Sequence, residues 1–199
     1  INVILHVSIG LTLAVILNKP GFPLKRVYRV LLILPWAMPS YITALIWKGM
    51  FHKQFGAINA FIKLLGFEPI SFFNNFWTAF FANVATNTWL GFPFMMVICL
   101  GALQSIPADL YEAAQIDGAG KWQQFRNITM PLLKPALFPA IILGTIWTFN
   151  MFNVIYLVSN GEPNRSTEIL ITQAYRFAFE KFNWGYAAAY SILIFLILL

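Results

Sequence analysis

Asn83 and Asn87 stand four residues apart in an apolar run, and Gly91 and Phe94 continue the same helical stripe. A second set, Phe149, Asn150 and Asn153, shares one face of a later apolar run. Carboxamides both donate and accept hydrogen bonds, so they suit hydroxyls, while flat aromatic rings suit the C–H faces of a sugar. That is binding chemistry, with no nucleophile or base to make or break bonds. No Asp, Glu, Lys or Arg occurs in 76–103, 135–158 or 184–199. Proton and ion relays need ionisable groups at membrane depth, so the pattern argues for a neutral cargo. A plainer role fits the same residues, because membrane Asn residues join helices and Gly-Pro eases packing. Spacing alone leaves both open. Leu90-Gly91-Phe92-Pro93 is expected to interrupt its helix, as broken helices do at transport sites.

Other chemistries lack their residues. Gly118-Ala119-Gly120-Lys121 resembles a piece of a phosphate loop, but Gln115 stands where the first Gly is required and Trp122 where Ser or Thr is required. Cys99 is the single cysteine, and His6 and His52 are far apart, so no metal site is expected.

The elements that must carry these residues are membrane elements. The chain has 199 residues, 59% hydrophobic and 10% charged, far from soluble composition. A net charge of +6 does not indicate nucleic acid, because the basic residues are scattered between apolar runs. The expected fold is all-α, a polytopic membrane helix bundle with about five spans. The runs are 1–17, 27–51 (through Pro35 and Pro39), 76–103, 135–158 and one from about Trp184. Ala57 to Leu65 reads as a short amphipathic helix at the interface. The chain opens and closes inside apolar runs, so 1–199 is expected to be one transmembrane domain excerpted from a longer subunit. Lys19, Lys25, Arg26 and Arg29 crowd one short loop and point it, with 104–134, to the cytoplasm.

The stretch 104–134 is the most specific. Ser105 and Pro107 can start a helix, Asp109 and Glu112 suit its positive end, and Gly118 can stop it. Glu112-Ala113-Ala114, three residues, Gly118, nine residues, Ile128, one residue and Met130-Pro131 resemble the EAA signature of binding-protein-dependent ABC importer permeases. Met130 departs, since Leu is usual there.

The resemblance extends over essentially the whole chain and is nearest the larger permease subunit of maltose/maltodextrin importers. Tyr28 to Pro35, Asn87 to Pro93, and Asn160-Gly161 with Pro163 carry it. It implies a type I ABC importer fold in which the loop 104–134 is a cytoplasmic coupling segment, with Glu112, Ala113, Ala114, Asp117 and Gly118 meeting an ATPase. It implies sugar contacts at Asn87, Leu90, Gly91, Phe94, Phe149, Asn150 and Asn153. Phe94 stands where the maltose subunit has Tyr, and Ile146 where it has Ser, and both changes remove a hydroxyl. The implied partners are a second homologous permease subunit, two ATP-binding subunits holding ATP and Mg, an extracytoplasmic sugar-binding protein, the lipid bilayer and a neutral sugar. The chain would itself be no enzyme and carry no cofactor, and would sit in a bacterial or archaeal cell membrane. Rival expectations are another neutral cargo, such as a monosaccharide or polyol, or a membrane channel outside the family.

Overall fold

The computed structural model describes residues 1–199, and the chain is all-helical. The helices are α1 (Asn2–Asn18), α2 (Lys25–Ala37), α3 (Ser40–Met50), α4 (Ala57–Leu64), α5 (Phe76–Gln104), α6 (Ala108–Ile116), α7 (Lys121–Gln124), α8 (Met130–Phe149), α9 (Phe152–Val154), α10 (Leu170–Tyr175) and α11 (Trp184–Leu198). Three five-residue π-helical segments, Phe125–Thr129, Ile155–Ser159 and Arg176–Glu180, extend or join them.

Every expected apolar run is helical. Phe76–Gln104 and Lys121–Ser159 are each long and apolar enough to cross a bilayer, and α2 with α3 can form a third, broken span. The apolar helices α1 and α11 are shorter, at 17 and 15 residues. The run 27–51 is therefore two helices where one was expected. Pro39 disfavours helical backbone at Met38, and α3 restarts immediately after it. Pro93 behaves differently: α5 passes straight through it, correcting the interruption expected at 90–93. A proline removes one ladder donor, and in a membrane helix packing around the site can absorb that loss.

Contacts divide the chain into two units, 1–37 with 91–145 and 38–90 with 146–199. The first has a core of Ala14 and Leu17 from α1, Met96, Cys99, Leu100 and Leu103 from α5, and Leu133 and Leu137 from α8. Gly10 lets α1 and α5 approach closely, since a Cβ there would lie 2.7 Å from the Met96 amide nitrogen. The second unit gathers Ala44, Phe51, Phe72, Ala82, Leu90, Val154 and Val158. Phe51 and Phe72 pack with ring centroids 4.8 Å apart. Asn59 on α4 is fully buried and staples the neighbouring loop, donating to the carbonyls of His52 and Ile70 and accepting from the Ile70 amide. Ile58 and Ile62 pack against this core, while Phe61 and Leu64 on the other side of α4 are exposed.

Candidate substrate residues and coupling segment

Five of the seven residues expected to meet substrate belong to the second unit. Three gather where the fourth apolar run breaks. There α8 ends at Phe149, Asn150 and Met151 leave the helix, and α9 begins at Phe152. The Asn150 amide Nδ2 donates back to the Ile146 carbonyl at 3.0 Å, capping the end of α8. Asn153 Nδ2 donates to Ser40 Oγ at 2.8 Å, tying α9 to the start of α3. Both side chains spend a donor on the fold, and their carbonyl oxygens remain as acceptors. A helix break at membrane depth is stable only where it faces protein or a polar cavity.

On α5, Asn87 is buried and Leu90 packs in the same core as Val154 of α9. That places this stretch of α5 beside the break, with the Leu90 side chain inward. Asn83 takes the plainer role: its Nδ2 donates to Ser159 Oγ at 2.9 Å, a buried joint between α5 and the segment after α9. In the first unit, the His6 ring lies on Gly91 and leaves no room for a Cβ. Phe94 packs against Trp36, with ring centroids 6.3 Å apart.

The segment 104–134, expected to couple to an ATPase, lies in the first unit. Helix α6 buries none of its residues. It ends in a Schellman turn: the Gly118 amide donates to Gln115 (3.0 Å) and the Ala119 amide to Ala114 (2.8 Å). Gly118 sits at φ +79°, the left-handed backbone that such a turn requires and that glycine adopts without strain. The Tyr111 hydroxyl meets Thr129 Oγ1 at 2.9 Å, and Gln124 Nε2 donates to the Ala119 carbonyl at 2.9 Å. These bonds anchor one side of α6 while Glu112, Ala113, Ile116 and Asp117 remain exposed. The π-helical turn 125–129 leads into α8, whose second residue, Pro131, supplies no N–H to the ladder.

The family described as binding-protein-dependent transport system inner membrane component matches residues 7–199. The chain belongs to that family. Among the relatives of this inner membrane component, the maltose/maltodextrin transport system permease protein MalF of Klebsiella aerogenes is 44% identical over 99% of the chain. MalF of Escherichia coli K12 is likewise 44% identical over 99%, and that of Yersinia pestis 41% over 98%. The chain spans about 40% of the length of these relatives. A crystal structure of a bacterial ABC transporter that imports the acidic polysaccharide alginate shares the fold. Its TM-score is 0.80 at 20% identity, covering 99% of this chain and 72% of that one. The same transporter with a pentasaccharide-bound periplasmic protein gives 0.77 at 20% identity, with the same coverage.

One structured part of this inner membrane component was not foreseen. In 159–183, read from sequence as a polar connection, the Arg176 side chain is only 9% exposed. Its Nε lies 2.5 Å from Glu168, and its Nη1 reaches both Glu180 oxygens at 2.8 and 2.9 Å. Nη2 donates to the backbone and side-chain oxygens of Asn160 at 3.1 and 2.8 Å. Burial pulls the guanidinium down, but the hydrogen bonds and charges of Glu180 and Glu168 outweigh it and hold Arg176 above its ordinary value. The Arg176–Glu180 spacing of four on a helix was the available signal.

Proposed function

We propose that the chain is the core of a membrane permease subunit of an ATP-driven ABC importer for sugars, with maltose/maltodextrin or a related oligosaccharide as cargo. The observation that carries this reading is 41–44% identity to maltose/maltodextrin permeases along nearly the whole chain. The absence of ionisable side chains from 76–103, 135–158 and 184–199 supports a neutral cargo. Membership of the permease family removes the channel reading.

In this mechanism an extracytoplasmic binding protein delivers sugar to this subunit and a second, homologous permease. Two partner subunits bind ATP and Mg and hydrolyse the ATP, so this chain performs no catalysis. The exposed face of α6 docks on one of them at the cytoplasmic side, and its anchoring through Tyr111 and Gln124 passes the partner's closure to α8. Sugar hydroxyls donate to the acceptors at Asn150 and Asn153, beside Asn87 and the Phe149 ring. A monosaccharide or polyol remains the second reading, favoured by Phe94 and Ile146, which offer no hydroxyl.

Alanine at both Asn150 and Asn153 tests the assignment in the complete transporter with the full-length subunit. Losing two acceptors, each worth about 1 kcal/mol, should raise the KM for sugar uptake by roughly tenfold or more. Unchanged uptake at normal subunit abundance removes the site.

A further inference from the structure

The second unit holds a cavity of about 630 Å³ that the contacts above do not use. Its lining includes Phe149 at the end of α8, Glu168 and Gln173 from the ion-paired stretch, Phe177, and Tyr190 of α11, with Arg165 also on the wall. The volume lies within the range of small-molecule sites. Two features of the lining decide what suits it.

The first is a buried carboxylate. The Glu168 side chain is 3% exposed, and it is held by Arg176 on one side and the Gln173 amide on the other. An ionised carboxylate has about four lone-pair positions, so capacity remains for donors from the cavity. An acyl chain would leave that capacity of the carboxylate unmet, and burying such a group against hydrocarbon is costly. A negatively charged ligand would meet Glu168 directly.

The second feature is a wall of aromatic rings. Phe177 stacks on Tyr190 with centroids 5.4 Å apart and planes 23° apart, and on Tyr186 at 5.2 Å and 17°. Rings braced in this way keep a fixed face at little entropic cost. Hydroxyl donors toward a carboxylate and C–H faces toward rings together describe a neutral saccharide. Phe149 lines the cavity and precedes Asn150 in the chain, so one oligosaccharide can run from the helix break into it.

We propose that this cavity is a second saccharide subsite, which holds additional rings of an oligosaccharide whose end sits at Asn150 and Asn153. The proposal rests on the sugar-importer reading and adds chain-length selectivity to it. A disaccharide fills only the helix break, and longer chains gain contacts from Glu168, Gln173 and Tyr190.

The test is uptake by the complete transporter, with the full-length subunit, of a disaccharide and a hexasaccharide of α-1,4-linked glucose. Gln173→Leu removes the amide at similar volume, and Tyr190→Leu removes the ring without touching the Arg176 pair. Each should raise the KM for the hexasaccharide about tenfold and leave the disaccharide within about twofold, a loss of binding rather than of turnover. Equal effects on both sugars, or none on either at normal subunit abundance, overturn the subsite. If one variant fails to accumulate, the other decides. Asn150→Ala separates the two claims. If it weakens uptake of both sugars while the cavity variants are silent, the importer stands and the subsite falls. If neither sugar is transported by the native complex, the importer reading falls and takes the subsite with it.

Discussion

The polar stretches 104–134 and 159–183 carry the same charge inventory, three acidic and three basic residues each. The fold treats them in opposite ways. In 159–183 Arg176 and Glu168 are buried against each other as an ion pair, and both Nη nitrogens of the guanidinium donate hydrogen bonds within the chain. In 104–134 the charges of α6 stay in solvent, and the helix buries nothing. Burying a charge costs several kcal/mol unless a partner is fixed in place, so a chain does it only where its own residues complete the site. Helix α6 caps itself with a full Schellman turn and half-buries only Tyr111 and Ala114, so most of its surface is open to a partner. Similar composition thus serves self-contained architecture in one stretch and, under the proposed function, a docking element in the other.

The largest effect that could break this contrast is at the ion pair. Arg176→Ala strands the Glu168 carboxylate, which should destabilise the folded subunit by about 3–5 kcal/mol. Arg176→Met combined with Glu168→Leu should recover most of that, because an apolar pair avoids the desolvation cost. Thermal unfolding of the full-length subunit in detergent measures both. The pair should show no pH dependence near neutrality. A guanidinium raised above its ordinary value contributes fully below that value, and its contribution is lost only in strong alkali. A single variant as stable as the native chain would mean that the stretch is not self-contained.

Next in size is Gly118. A side chain at φ +79° costs about 1–2 kcal/mol, and nothing crowds the position sterically, so the penalty is conformational. Gly118→Arg should leave the subunit in the membrane yet reduce sugar uptake roughly tenfold, as the Schellman turn opens and α6 loses its setting. Gly118→Asn, which tolerates left-handed backbone, should retain most uptake. Equal loss from both would shift the fault from conformation to surface contact. Tyr111→Phe is smaller again. It removes one hydrogen bond to Thr129, about 1 kcal/mol, and should loosen α6 in hydrogen-exchange measurements without displacing it.

How much of this could be read from the chain differs by element. The apolar runs were plain because membrane composition is uniform over many residues, and α6 was plain because its start and stop signals are local. Asn150 and Asn153 were visible as a stripe, but not as the edge of a helix break. Met151 between them is no breaker, and the tie that Asn153 makes beside the break goes to Ser40, 113 residues away in sequence. Pro39 and Pro93 carry identical local chemistry, yet one separates two helices and the other lies within a continuous one. Proline sets only a cost, and surrounding packing decides whether that cost is met. The Glu168–Arg176 pair was hidden for a related reason, since its spacing of eight residues runs across the start of α10.

The smallest expected effect sharpens the contrast most. Ile116 on α6 is 87% exposed. Its side chain is already in water, so Ile116→Ser should change the stability of the isolated full-length subunit by no more than about 0.5 kcal/mol. If α6 is a docking element, the same change removes a methyl-rich side chain from a covered interface, and a buried Ile is worth about 1.5–3 kcal/mol. Co-purification with the ATP-binding subunits should then weaken by roughly tenfold while the subunit melts as before. An equal loss in both measurements would place Ile116 in this chain's own core. No loss in either would leave Glu112, Ala113 and Asp117 to carry the contact without an apolar anchor. Only the split, with stability intact and association weakened, identifies a residue exposed in the chain and buried in the assembly.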